Sequence, residues 1–368
     1  MSTIRFVMIG GFLGAGKTTS IARLARMYQQ RGHKVGIVTN DQATDLVDTH
    51  TLREQGFNVG EVPGACFCCN FNELTATVDR ISAGERPDVI LTEPVGSCTD
   101  LVATVIRPLQ SLFESKFSIA PYGVILKPSH GLRILSGQEK AGFSPKAEYI
   151  FRKQIEEADF ILLNRIDELP SATVEELTQL LETQFPGRPV IQVSARTGAG
   201  FDELCEFLDQ SGMFGRRVIE LDYDVYAEGE AELGWLNSSL TVAADDLFSL
   251  DSLLVGIIDR LRDRLEALGA ETAHLKTIGM ADEGHGVANL VSSFTPAELS
   301  LASDCETKSA HVIVNARVAM DPAELEREVE AAVTDAAASV GATAKFQQTQ
   351  SFRPGRPVPT HRLVQLGL

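Results

Sequence analysis

Between residues 4 and 210 the chain alternates short, almost wholly apolar runs with longer stretches in which apolar residues recur every three or four positions. The apolar runs are Ile4 to Ile9, Lys34 to Thr39, Asp88 to Thr92, Gly123 to Leu126, Phe160 to Leu163 and Val190 to Val193, and they read as strands buried on both faces. Thr18 to Gln30, Asn72 to Ile81, Val174 to Phe185 and Phe201 to Leu208 read as the helices between them. This alternation predicts an α/β domain, doubly wound around a mostly parallel sheet.

The pattern changes after Phe214-Gly215-Arg216-Arg217. Val225 to Val242 reads as one or two strands, and Leu250 to Leu268 as a helix with Leu253, Leu254, Ile257, Ile258, Leu261 and Leu265 on one face. Ala273 to Ser292 and Lys308 to Met320 read as further strands. Asp321-Pro322-Ala323-Glu324 then opens a second helix, with Asp as N-cap, Pro at the first helical position and Glu completing a capping box. That helix is expected to end near Gly341, before a last strand at Thr343 to Phe352. The order β-α-β-β-α-β is that of a smaller α+β, ferredoxin-like domain. The expected division is therefore residues 1–215 and 216–368.

Charge narrows the partners. With 33 Lys and Arg against 50 Asp and Glu the formal net charge is −17, which excludes nucleic acid and anionic membrane as main partners. The acidity is uneven, at 26 acids to 20 bases before residue 216 and 24 to 13 after it. The apolar N-terminal run is too short for a membrane span and carries no signal-peptide features, so a cytoplasmic protein is expected.

The first run is followed by Gly11-Phe12-Leu13-Gly14-Ala15-Gly16-Lys17-Thr18, a G-x-x-x-x-G-K-[ST] phosphate loop in the required place, after a strand and opening a helix. Its glycines free the backbone to turn N–H groups toward an anion at a helix N-terminus. Lys17 is expected to reach the β- and γ-phosphates and Thr18 to bind Mg2+, with Ala15 and Thr19 also in the nucleotide set.

Asn164-Arg165-Ile166-Asp167 resembles N-K-x-D with Arg in place of Lys. The Asp167 carboxylate can accept both N1–H and the exocyclic amine of guanine, a pair that adenine lacks. Ser194-Ala195-Arg196 follows the next strand, where a backbone N–H can meet guanine O6. GTP is thus expected over ATP, and these residues speak against a small-molecule kinase. Asp88 to Gly96 is an apolar strand that ends in Glu93-Pro94-Val95-Gly96. Glu93 can hold Mg2+ through water or orient the attacking water, and Gly96 can donate its N–H to the γ-phosphate.

Cys66-Phe67-Cys68-Cys69 places three of six cysteines within four positions, in a segment read as a loop after the second strand. In an extended loop Cys66 and Cys68 share a side, and Cys69 needs a turn to join them. Three thiolates suit a soft or borderline ion such as Zn2+, Co2+ or Cu+, and a tetrahedral ion would still lack one ligand. Asp41, Asp45, His50, Cys98, water or a client protein are the candidates for that place. A buried inert cysteine patch and redox chemistry are the competing readings.

The runs GFLGAGKTT, EVPGACFCCNFNEL, EPVG, QIEEADFILLNRIDEL and VSART resemble, in order and spacing, the metallochaperone GTPases of the CobW, UreG, HypB and MeaB group, most nearly the CobW-like branch with its C-x-C-C motif. The similarity covers about residues 1–210. It implies a slow GTPase, with Lys17, Asp41 and Glu93 as catalytic candidates and Thr18, Asp41 and Glu93 around Mg2+. The nucleotide state would control a Zn2+ or Co2+ ion on Cys66, Cys68 and Cys69, for delivery to a client apo-protein or cofactor pathway. A MeaB-like GTPase that controls cofactor loading of a cobalamin enzyme is the alternative. By the same analogy a homodimer through the first domain is expected, and the surplus acidity beyond residue 215 points to the second domain as the part that binds the client. Two residues depart from the family pattern: Ala65 stands before Cys66, and Asn40-Asp41 stands where the family has Asn-Glu.

Overall fold

The computed structural model describes residues 3–41, 47–136, 144–290 and 296–365. The chain forms two compact units, each discontinuous in sequence. The first comprises Met1–Gln42, Gly56–Gly229 and Arg356–Leu368, and the second Ala43–Gln55 and Glu230–Gly355.

The first unit opens with β1 (Ile4–Gly10), α1 (Lys17–Gln30) and β2 (Val35–Asn40). The following helix, α2 (Val47–Glu54), belongs to the second unit. The first resumes with β3 (Asn58–Val62), α3 (Phe71–Gly84) and β4 (Val89–Glu93), and a π-helical turn at Val102–Ile106 leads into α4 (Arg107–Leu112). Then come β5 (Phe117–Ile119), β6 (Gly123–Leu126), α5 (Pro128–Leu135), α6 (Pro145–Glu157), β7 (Phe160–Leu163), α7 (Ser171–Gln184), β8 (Val190–Gln192) and α8 (Phe201–Leu208). The sheet order is β3-β2-β4-β1-β6-β7-β8, with β5 beside β1, and every pairing is parallel. The chain first winds to one side of β1 and then to the other. The end of β1 is therefore the reversal point at which such sheets hold their ligands.

The apolar runs became strands because helices cover both faces; all five residues of β4 are buried. Two strands, β3 and β5, were not expected. In β3 only Val59 and Val62 are buried, the mark of an edge strand with a weak apolar signal. The thiol motif consequently follows the third strand and not the second.

In the second unit β9 (Gly234–Ser249), α10 (Leu250–Ala267), β10 (Thr272–Ala281), β11 (Gly284–Leu290), β12 (Glu298–Leu301), β13 (Glu306–Val318), α11 (Pro322–Ser339) and β14 (Thr343–Phe352) form an antiparallel sheet of order β12-β11-β10-β13-β9-β14. The four strands β14-β9-β13-β10 with α10 and α11 are the expected split β-α-β, and β11 and β12 extend it. Two expectations are corrected. Part of Val225 to Val242 is helical, as α9 (Tyr223–Ala231), because the Asp222 carboxylate takes the N–H groups of Asp224 and Val225 at 2.9 and 3.2 Å and starts a turn. Ala273 to Ser292 folds back as the β10–β11 hairpin, whose two-residue Asp282-Glu283 turn lacks the usual glycine signal. Its end at Ser292 lies outside the described residues.

The N-cap read at Asp321 is present, its Oδ1 accepting from Ala323 N at 3.0 Å and Glu324 N at 3.4 Å. The apolar face of α10 is buried as its period requires. Truncating one such residue, as in Ile257→Ala, costs about 2–5 kcal/mol. Helix α2 covers the opposite face of this sheet, where Val47 packs with Ile278, Val287 and Ile313. There Lys276 Nζ meets Asp48 Oδ1 at 2.5 Å, and Val47 N–H donates to Asn315 Oδ1 at 3.1 Å. Among the described residues no helix is long and apolar enough to cross a membrane.

Candidate functional site

The phosphate loop leaves β1 and ends at the first turn of α1, with Gly11, Gly14 and Gly16 at φ of 131°, 71° and 94°. A Cβ on Gly11 would lie 2.1 Å from the Ile125 carbonyl oxygen, and one on Gly16 would lie 2.5 Å from Asn164 Nδ2. Both positions therefore require glycine twice over, for conformation and for space. Lys17 Nζ donates to the carbonyls of Gly11 and Phe12 at 3.0 and 3.3 Å, so the ammonium is folded back over the loop. Ala15 N–H donates to Phe12 O at 3.3 Å, and Thr19 lies exposed in the first helical turn.

Glu93, at the end of β4, is buried and accepts from Thr18 Oγ1 at 3.0 Å. The hydroxyl and carboxylate read as Mg2+ partners thus meet, and an oxygen pair of this kind suits a hard cation. Gly96 rests on the loop so closely that a Cβ would lie 2.6 Å from Leu13 Cδ2 and 3.1 Å from Leu13 N. Asp41 directly follows Asn40 at the end of β2 and is half-buried.

The base motif is joined to this loop. Asn164 is buried; its Nδ2 donates to Ala15 O at 2.8 Å, and its Oδ1 accepts from Ala195 N at 3.0 Å. Asn164 therefore holds the phosphate loop and the Ser194-Ala195-Arg196 turn together, and the Ala195 N–H is engaged within the protein. Arg165 adopts a left-handed φ of 63° and pairs with Glu168 at 3.3 Å. Burial works against ionisation of Asp167, but hydrogen bonds with Ser194 and Arg196 outweigh it and hold the carboxyl below its usual range.

Two residues here escaped sequence reading. Arg23, on α1, donates to Ala195 O and Arg196 O, each at 2.8 Å. Lys127, just after β6, is pushed down to about 8 by burial and secondarily by Arg165 and Arg133. Neither lies in a motif, and only the juxtaposition of strand ends brings them in.

The thiol motif forms a turn, not the extended loop expected. Cys69 N–H and Asn70 N–H both donate to Cys66 O, at 3.0 and 2.9 Å, just before α3 begins. This winding brings all three sulfurs together: Sγ of Cys66 lies 2.9 Å from that of Cys68 and 3.4 Å from that of Cys69, and the last pair is 3.7 Å apart. Cys66 and Cys68 are buried and Cys69 is half-buried. Hydrogen bonding with Cys68 first, then Cys69 and Cys98, pulls the Cys66 thiol well below its usual range, while hydrogen bonding to Cys66, with burial, pushes Cys68 up and Cys69 up to about 11. One thiolate supported by neighbouring thiols is a donor set that fits a soft or borderline cation.

The turn is suspended from Asn40. Its buried amide donates to Val62 O and Ala65 O, each at 2.8 Å, and accepts from Phe67 N at 2.8 Å. Residues near the C-terminus complete the surround. Val358 N–H points to Cys69 Sγ at 3.3 Å, and Thr360 donates its N–H to Cys68 O at 2.8 Å and its hydroxyl to Cys69 O at 3.0 Å. Arg362 donates to the buried Asp100 at 2.7 Å. Of the other candidate ligands, His50 lies on α2 in the second unit, and Asp45 lies outside the described residues.

A glycine loop between strand and helix, at the reversal point of a parallel sheet, defines a P-loop nucleotide-binding domain. The family profile described as CobW/HypB/UreG, nucleotide-binding domain, matches residues 5–192, and the chain belongs to that family. It is 28% identical to the zinc chaperone YeiR of Escherichia coli over 163 residues, which are 44% of this chain and 46% of YeiR. It is 26% identical to the urease accessory protein UreG of Metallosphaera sedula over 220 residues, 55% of this chain and 92% of UreG. The chain thus spans less than half the length of YeiR and nearly all of UreG. Among solved structures, zinc-bound YjiA GTPase from E. coli aligns with 90% of this chain and 99% of its own, at 17% identity and a TM-score of 0.40.

Proposed function

We propose that this protein is a GTP-hydrolysing metallochaperone that holds a transition-metal ion, Zn2+ first and Co2+ second, on Cys66, Cys68 and Cys69, and yields it to a client according to nucleotide state. The observation that carries this reading is that both halves of the site are built on neighbouring strand ends of one sheet, β2, β4 and β1. Asn40 supports the thiol turn and Asp41 is the next residue. Glu93 meets Thr18 at the end of β4, and Gly96 packs on the phosphate loop.

In this mechanism Lys17 and the loop N–H groups bind the phosphates, while Asn164 and Asp167 select guanine. Thr18, Asp41 and Glu93 would hold Mg2+, which when bound would supply charge neutralisation on the phosphates. Lys17, Glu93 and Asp41 serve hydrolysis, which is slow without a partner. Loss of the γ-phosphate releases Asp41 and Gly96, and with them the two sides of the thiol turn. To pass from mostly bound to mostly free, the two nucleotide states must differ by roughly 10⁴ in metal affinity.

The client, in this reading, presents a basic patch to the acidic second unit, and a homodimer forms through the first. A reducing cytoplasm, which keeps thiols available as ligands, suits the three-cysteine turn. Zn2+ affinity measured by competition with a chromophoric chelator tests the switch. Tighter binding with a non-hydrolysable GTP analogue than with GDP is expected, and equal affinities would sink it.

A further inference from the structure

Cys98 is buried, 1% exposed, and its thiol hydrogen-bonds with Cys66 at the edge of the thiol turn. Its sulfur does not lie within 4.8 Å of all three others, so it stands beside the cluster and not inside it. Its backbone belongs to the segment that rests on the phosphate loop. Cys98 N–H donates to Val95 O at 2.9 Å, and the buried Gln154 amide donates to Gly96 O at 3.0 Å and Cys98 O at 2.9 Å. Gly96 and Cys98 are thus held as one piece, with Gly96 against Leu13 and Cys98 against Cys66.

The next residues fix the far end of that piece. Val102 N–H donates to the buried Glu157 at 3.0 Å, and Thr99 donates to the same carboxyl at 3.4 Å. Asp100, in a left-handed conformation, takes hydrogen bonds from Tyr223 at 2.9 Å and Arg362 at 2.7 Å. Gly96 and Cys98, two residues apart, thus share the Gln154 anchor and lie between the phosphate loop and these fixed contacts.

We propose that Cys98 is the fourth ligand of the transition metal, joining Cys66, Cys68 and Cys69 to close a four-thiolate tetrahedron when Gly96 engages the γ-phosphate, and withdrawing when it does not. This rests on the reading that the three-cysteine turn binds metal. On ligation the S–H bond of Cys98 gives way to a sulfur–metal bond and the proton leaves to solvent; no electron is transferred. A four-sulfur shell is closed and tight, whereas a three-sulfur shell keeps an open position for a client ligand.

The test uses the full chain, anaerobically, with Co2+ and Zn2+ as probes and either GDP or a non-hydrolysable GTP analogue with Mg2+. Zinc X-ray absorption on the unaltered protein is expected to give four sulfur neighbours at about 2.3 Å with the analogue and three with GDP. Cys98→Ser is expected to lower the sulfur-to-cobalt charge-transfer intensity of the analogue state by about one quarter and to weaken Co2+ binding at least tenfold or so. The affinity ratio between nucleotide states should collapse toward one, with GDP affinity as the fold control. Three sulfurs in both nucleotide states, or an unchanged band and affinity in Cys98→Ser, overturns the assignment of Cys98 and leaves the three-cysteine site standing. No metal binding by the unaltered protein in either state overturns both. Because the absorption experiment needs no substitution, a misfolded variant does not spare the proposal.

Discussion

The phosphate loop and the thiol turn are both built at strand ends of the first unit, but they are held by opposite means. The phosphate loop takes its shape from its own backbone, through three glycines at positive φ and a lysine folded onto its own carbonyls. Among the described residues the thiol turn has two backbone hydrogen bonds of its own, both to Cys66 O, beside the contacts among its sulfurs, and owes the rest to Asn40, Cys98 and the segment around Val358 to Arg362. A backbone cradle is the same with each nucleotide it meets, as a site for a constant anion should be. A cluster held by distant side chains can be loosened from several sides, which suits cargo that must be released.

Substitutions at each end should separate the two. The largest effect is expected for Lys17→Ala, which removes the cation over the phosphates: GTP turnover should fall by about 10³ while zinc stays on the thiols. A parallel loss of zinc binding in nucleotide-free protein would show that the two ends are one structural unit. Asp167→Asn, at the base, should cut the preference for GTP over ATP by about 10²-fold, read from competitive binding.

Asn40→Ala leaves the Val62 and Ala65 carbonyls and the Phe67 N–H without their partner. Metal affinity should drop by about tenfold, with a smaller effect on GDP affinity. If GDP affinity falls as much as metal affinity, Asn40 serves both ends equally and the contrast is blurred.

The smallest effect concerns Lys127. Its folded-state value of about 8 lies below the ordinary 10.5, so the buried charge destabilises the fold fully below pH 8, and that cost fades as pH rises from 8 toward 10.5. Lys127→Met should therefore raise Tm by a few degrees, about 2–4 °C, at pH 7, and by progressively less toward pH 10.5. A constant Tm difference across that range would assign the effect to packing.

What could be read along the chain was whatever is local. The strand–loop–helix around Gly11 to Thr18 declares itself because its chemistry is made by consecutive residues, and the Asp321 cap and the face of α10 do so for the same reason. The motifs ending in Gly96 and Asp167 were equally legible, since each lies at the end of an apolar strand. Tertiary structure alone decided the rest. Asn40 became the support of the thiol turn because β2 and β3 pair in register, with Asn40 opposite Val62. Cys98 reached Cys66, and Val358 reached Cys69, across sequence separations that no spacing rule covers. The helix after Asp41 joined the second unit because Val47 found an apolar face on that sheet. Periodicity and motif spacing report only what neighbours in sequence do together, while the partners of a buried polar group or a thiol are chosen by strand order and packing.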